Sequence, residues 1–234
     1  MEIRFHGHSC FELSEGDTRI LVDPFLKPNN PSAIASADEV DPTHIAISHG
    51  HADHMADAIA VAERTGAHCV AIVELANWLE AHGAKQVSDP NLGGTVRFEW
   101  GWIKLVPAWH TSTLPGSEEQ PYSAEHGISL GTAAGLLINI GGVTVYHCGD
   151  TCLFGDMKLI AERNPADIAL IPIGGHYTMD PREAALALEL LGVKRCVPCH
   201  WGTFPPLAGR PQELQELAPD VKVEMIEPGD SVTI

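Results

Sequence analysis

Ser48-His49-Gly50-His51-Ala52-Asp53-His54 holds three imidazoles and one carboxylate between positions 49 and 54. The preceding residues, Thr43-His44-Ile45-Ala46-Ile47, are short, apolar and β-branched, the pattern of a buried strand. Residues 55–64 repeat their apolar positions at helical spacing. The motif therefore sits on a strand-to-helix turn, where loops on a rigid scaffold carry function. In extended chain His49 and His51 point the same way, because side chains repeat every two residues. Asp53 falls at the helix start, where carboxylates cap. A solvated polar turn has no need of such a concentration of ligands. One ion cannot readily take all four groups, whereas two adjacent ions can: His49 and His51 on one, Asp53 and His54 on the other.

Working outward, the 234 residues are 44% hydrophobic and 19% charged, enough for one domain over 1–234 with an ample core. Acidic residues outnumber basic ones 31 to 14, a formal charge of −17. That balance excludes a nucleic-acid or anionic-membrane surface, which needs a basic patch, and bound divalent ions would offset part of it. There is no apolar run long enough to span a membrane, and Met1-Glu2-Ile3-Arg4-Phe5 alternates like a strand rather than a signal peptide. The six cysteines then read as free thiols of a cytoplasmic protein. Cys148 and Cys196 lie in apolar runs and act as small hydrophobes, so a zinc site built with Cys152 and Cys199 is the weaker reading.

Along the chain, residues 2–5, 10–13 and 18–22 form a strand meander, followed by a turn-rich loop over 24–40. After the motif come a strand at 69–73, a helix at 74–82, and strands at 86–88 and 96–106. A hairpin at 133–147 turns on Gly141-Gly142. Then follow a helix at 153–163, a strand at 168–173, a helix at 181–191 with Pro181 in its first turn, a strand at 193–198, a helix at 211–217 and a strand at 221–226. A strand-rich half, then αβ units, then the same again predicts an α/β fold of two sheets packed face to face with helices outside. Three more ligand types stand just past strands: His110, Asp150 and His200. A carboxylate has two oxygens, so Asp150 can bridge. The expected sets are His49, His51, His110 and Asp150 on one ion, and Asp53, His54, His200 and Asp150 on the other. Nitrogen and carboxylate donors without thiolate suit Zn²⁺ first, and also Mn²⁺, Fe²⁺ or Ni²⁺.

Several stretches carry a family resemblance: Gly7-His8-Ser9-Cys10-Phe11, Asp23-Pro24-Phe25, Ser48 to His54, Trp109-His110, Gly149-Asp150-Thr151, Gly174-Gly175-His176-Tyr177-Thr178-Met179 and His200-Trp201-Gly202-Thr203-Phe204-Pro205. On these the chain resembles, over essentially its whole length, a metallo-β-lactamase-fold hydrolase. Within that superfamily it resembles the branch of the L-ascorbate-6-phosphate lactonase and the predicted metal-dependent hydrolases around it. The resemblance implies a four-layer αβ/βα sandwich, two mixed sheets with the metals at one edge. Outside the ligand set, His176 lies in a Gly-Gly-His turn after a strand and is expected to face the rim as an acid–base group. His8, in a comparable turn, is expected to line the pocket. Asp23 is expected to orient a ligand histidine through its free ring nitrogen. His44, His68, His82, His126 and His147 read as structural or surface residues, with His126 reaching substrate only if the 111–131 loop folds over the site.

The expected chemistry is hydrolysis. A hydroxide bridging two ions forms near neutral pH and attacks a small ester or lactone, with Asp53, Asp150 and His176 as the catalytic candidates. The alternative substrate is a small or lipid-derived phosphodiester. A metal-dependent scaffold without turnover is the reading from another class, and it would not need every ligand position filled. A redox role would call for a flavin domain, for which the chain has no room. The partner is expected to be a small-molecule substrate, with neither nucleic acid nor membrane, and self-association stays open.

Overall fold

The meander forms first, as β1 (Glu2–Gly7), β2 (Cys10–Glu15) and β3 (Thr18–Val22), each paired antiparallel to the next. The computed structural model describes residues 1–114 and 128–234; His126 and the middle of the 111–131 loop lie outside the described residues. From β3 the chain continues in parallel through β4 (His44–Ala46), β5 (His68–Val70) and β6 (Gln86–Ser88). Parallel neighbours need crossovers: the loop over 24–40 joins β3 to β4, α1 (Ala52–Met55) and α2 (Ala58–Thr65) join β4 to β5, and α3 (Val73–Ala81) joins β5 to β6.

The second sheet repeats the plan. β7 (Thr95–Phe98), β8 (Gly101–Pro107), β11 (Ala134–Ile140) and β12 (Val143–His147) run antiparallel. β13 (Ile168–Pro172), β14 (Arg195–Cys199) and β15 (Lys222–Val223) follow in parallel, separated by α4 (Met157–Arg163), α5 (Pro181–Leu191) and α6 (Pro211–Leu217). A small ribbon, β9 (Thr113–Leu114) with β10 (Ile128–Ser129), stands apart. The last strand, β16 (Ser231–Thr233), returns to the edge of the first sheet beside β1.

Period-2 alternation shows how the layers stack. Leu136 and Ile138 of β11 and Ile168 and Leu170 of β13 face the first sheet and join its core. Leu137, Ala169 and Ile171 point the other way, into a second core under α4, α5 and α6. On the far side of the first sheet, Val61, Leu75 and Leu79 of α2 and α3 are fully buried. The result is helix, sheet, sheet, helix, as expected for two mixed sheets face to face.

The helix ends are readable in the letters. Asp180 caps α5, accepting from the Arg182 and Glu183 N–H groups at 2.9 Å each, and Gly192 ends it with a left-handed φ of 65°. Other limits differ from the periodicity. The helix expected over 55–64 is split at Ala56-Asp57. The Asp57 carboxylate there accepts from the Leu26 N–H at 2.6 Å and the Asn29 amide at 2.9 Å, tethering the 24–40 loop. The helix at 153–163 begins only at Met157, because Leu153 and Phe154 pack onto the second core from the loop. The strand at 221–226 contracts to Lys222–Val223. No helix among the described residues is long and apolar enough to cross a membrane.

Candidate metal centre

Both sheets end at the same rim. The first sheet delivers His8 from the β1–β2 turn, Asp23 after β3, and the 48–54 turn after β4. The second delivers His110 after β8, Asp150 after β12 and His200 after β14. Backbone hydrogen bonds lock the two sets together: the His200 N–H donates to the His8 carbonyl at 2.7 Å, and the Ala134 N–H to the Ser48 carbonyl at 3.0 Å. His8, Asp23 and His200 hold left-handed φ values of 58°, 47° and 53°. Such a conformation costs a non-glycine residue roughly 1–2 kcal/mol and clusters where function over-determines the backbone.

The ligand atoms converge. His49, His51 and His110 bring one nitrogen each within 4.8 Å of one another, and His49, His54 and Asp150 form an overlapping group. His49 Nε2 and His51 Nδ1 lie 3.0 Å apart. Asp150 stands in the middle: Oδ1 is 3.4 Å from His54 Nε2, while Oδ2 is 3.1 Å from His200 Nε2 and 3.6 Å from His110 Nε2. All seven expected ligands thus meet, and Asp150 reaches both halves of the cluster. Among the described residues, His54 Nε2 and Asp150 Oδ1 are buried and have no hydrogen-bond partner. Buried polar atoms are rarely left so. A cation between facing nitrogen and carboxylate atoms satisfies them, so these donors fit divalent ions.

Behind the ligands lies a second set of contacts. Asp23, fully buried, accepts from the Ser48 N–H and hydroxyl at 2.7 Å each and from His54 Nδ1 at 2.8 Å. Ser48 Oγ in turn lies 2.9 Å from His49 Nδ1. With hydrogens assigned to both Nδ1 atoms, one carboxylate orients His54 directly and His49 through Ser48, leaving both Nε2 atoms for the cluster. This is the usual way in which outer contacts aim metal histidines. Asp23, expected to orient a ligand histidine through its free ring nitrogen, lies 2.8 Å from His54 Nδ1; Ser48 was not foreseen, because an interior serine carries no sequence signal of its own.

His8 lies deeper in the site than a pocket wall. Its Nε2 is 3.1 Å from Asp53 Oδ2 and its Nδ1 3.0 Å from Thr203 Oγ1, and it groups with Asp53, His54 and His200. Burial lowers the His8 pKa to about 4 despite the Asp53 hydrogen bond, so the ring is neutral, donates from Nε2 and accepts from Thr203. Asp53 is held well below the usual carboxylate range: burial opposes its ionisation, but donors on His200 and His8 outweigh it. Its carboxylate serves this contact and not a cap; α1 starts from His51 without a side-chain cap. Burial pushes His49 down. It opposes protonation of His200 too, yet Asp150 and Asp53 raise that residue to about 9. Asp150 is depressed by His200 and His54 against the cost of its own burial. Before metal enters, the cluster is thus a set of carboxylates held by imidazolium, the charge that a metal would replace.

A cavity of about 580 Å³ opens over the cluster, floored by His51, Asp53, His110, Asp150 and His200 and walled by Thr111, Tyr177, Phe204 and Pro206. His176 is not among its lining residues. It is exposed, and its ring meets Tyr177 edge-on at 4.4 Å. Gly175 and His176 have φ of 74° and 42°, so strand alternation does not extend into this turn, and Tyr177 takes the place expected of His176. Thr111 lies 3.3 Å from His51 Nε2. Of the remaining histidines, His147 is buried and lies 3.8 Å from Asp23, while His44 stacks with His68 far from the rim. All six cysteines are free; Cys196 lies within β14 and Cys148 just past the end of β12, and both are buried.

Comparison with known proteins agrees with this architecture. The profile described as Beta-lactamase superfamily domain matches residues 18–201. A UPF0173 metal-dependent hydrolase of Methanopyrus kandleri is 42% identical over 235 residues, covering 99% of each chain. One from Thermus thermophilus is 43% identical over 232 residues, covering 98% of this chain and 97% of its own. Among solved structures, Igni18, a metallo hydrolase from Ignicoccus hospitalis, superposes with a TM-score of 0.85 at 33% identity, covering 99% of this chain and 97% of its own. With the fold, the rim and these relatives in agreement, the chain belongs to the metallo-β-lactamase superfamily, in its UPF0173 group of metal-dependent hydrolases.

Proposed function

We propose that this metal-dependent hydrolase is binuclear and cleaves a small ester or lactone, with zinc as the first candidate metal. The observation that carries the reading is Asp150, whose carboxylate lies 3.6 Å from His110 on one side and 3.1 and 3.4 Å from His200 and His54 on the other, and whose Oδ1 has no hydrogen-bond partner among the described residues. His49, His51 and His110 would hold one ion, Asp53, His54 and His200 the other, and Asp150 both. Two divalent ions held there would acidify water and polarise a carbonyl or phosphoryl oxygen. The chain's own contribution is placement. Asp23 fixes two imidazoles, His8 and His200 fix Asp53 from both sides, and the cavity wall shields the bond to be cut. Six free cysteines support a reducing compartment such as the cytoplasm.

The test pairs metal analysis by mass spectrometry with turnover on a panel of neutral ester, lactone and phosphodiester. Two equivalents of metal per chain are expected, with hydrolysis of ester or lactone. Asp150→Ala should lose at least one equivalent and all activity, while His176→Ala should keep both metals and stay within about threefold of wild-type turnover. A single equivalent in the wild type would end the binuclear reading, and preference for the diester would move the protein to the phosphodiesterase alternative. A drop of ~10²–10⁴-fold in His176→Ala would restore that residue as an acid–base group.

A further inference from the structure

The cavity is built unevenly. Its floor is the histidine and carboxylate cluster; its wall is mostly aromatic and apolar, made by Tyr177, Phe204 and Pro206 with Thr111 beside them. Among the described residues, none that lines the cavity is Lys or Arg. Three basic side chains, Arg97, Lys104 and Arg163, border a different cavity on the outside of the second sheet. The sequence between Leu114 and Ile128 holds no Lys or Arg either, and carries Glu118, Glu119 and Glu125. A distal phosphate or carboxylate is normally gripped by Arg, Lys or a cluster of N–H donors, and burying an unpaired charge against an apolar wall is expensive. The field of the whole chain acts in the same direction. A formal charge of −17 exceeds what two divalent ions would offset, and a field of that sign disfavours anions on approach.

We propose that the site selects a neutral acyl group. Resting on the hydrolase reading above, the substrate places its scissile carbonyl over the cluster. Its uncharged aliphatic or aromatic chain lies against Tyr177, Phe204 and Pro206. It carries no phosphate or carboxylate away from the bond that is cut. A sugar-phosphate lactone, the substrate type suggested by the family resemblance, is thereby excluded. Tyr177 is half-exposed at the rim, which leaves it free to close on a chain and bury it.

Simple carboxylates, which resemble the acid product, test this without requiring turnover. Zinc-loaded protein is titrated by calorimetry with butanoate, hexanoate and octanoate, and with adipate, which matches hexanoate in length but ends in a second carboxylate. Affinity should rise by about fourfold per methylene buried until the wall is filled, and adipate should bind at least about tenfold more weakly than hexanoate. Tyr177→Ala and Phe204→Ala should flatten the chain-length dependence, and Pro206→Arg, at an exposed position, should recover adipate binding. A flat series, or adipate equal to or tighter than hexanoate, would overturn the proposal. The reading beneath it fails separately, through the metal count or absent turnover, so the two failures are distinguishable.

Discussion

Asp23 shows how one buried carboxylate can govern a site that it does not enter. It accepts hydrogen bonds from Ser48 and His54 at 2.7–2.8 Å, and the Ser48 hydroxyl passes its influence to His49. Asp23→Ala should weaken metal retention by about 10–100-fold, the usual cost of losing an outer contact to a ligand, as read by competition with a chelator; unchanged retention would show that Ser48 and packing suffice. His8 allows a sharper prediction. Its neutral ring sits between Thr203 and Asp53, which under the binuclear proposal gives it the role of positioning a carboxylate and not that of an eighth ligand. His8→Ala should lower kcat while two metal equivalents remain, and His8→Gln, which keeps a donor, should recover part of the loss. Departure of one metal in both variants would make His8 a ligand.

At the scale of elements, the site depends on how closely strand ends approach each other. The Asp150 turn is an example. Gly149 has φ of 62°, and a Cβ there would stand 2.6 Å from the Ala134 carbonyl oxygen, part of the strand next to β12. Alanine would be strained by its backbone and obstructed by a main-chain atom that cannot swing away. Gly149→Ala should lose about 1–3 kcal/mol of stability in denaturant unfolding and shift Asp150 enough to lower metal content. Stability reduced without any change in metal would separate the turn from the site. The α1–α2 break also belongs here, because Asp57, between the two helices, holds the loop at Leu26 and Asn29.

Across the whole molecule, burial of histidines outside the expected ligand set ties stability to pH. His6 is buried in β1 with neither ring nitrogen paired among the described residues; burial, then Arg4, lowers its pKa to about 4. His44 is lowered to about 4 by burial and then by His68, and its Nε2 accepts from the Trp100 indole at 3.1 Å, which requires the neutral ring. In the unfolded chain both regain the ordinary value of 6.5 and bind protons first. Their contribution is therefore complete above pH 6.5 and is lost as pH falls toward 4. For His6 this amounts to up to about 3 kcal/mol, and less for the half-exposed His44. Denaturant unfolding at several pH values should show wild type weakening through this window more steeply than His6→Gln. Parallel slopes would mean that His6 titrates alike in both states.

The letters alone singled out the residues that gather at the rim. Ligand types at fixed spacing after apolar runs pointed to His49, His51, Asp53, His54, His110, Asp150 and His200 as candidates, because a strand end is a local property and places its next side chain at the rim. The alternation of strands and helices likewise implied two sheets with helices outside. Only the tertiary structure decided what depends on residues far apart in the chain. Ser48 becomes a relay because Asp23 arrives from another strand. His8 meets Asp53 and Thr203 across separations of 45 and 195 residues. β16 pairs with β1 across nearly the full chain. Tyr177, not His176, reaches the cavity, since two left-handed residues cancel the alternation on which the sequence argument relied. Local rules fix which way a strand's side chains point; they cannot fix a turn's direction, or which distant carboxylate a buried imidazole will meet.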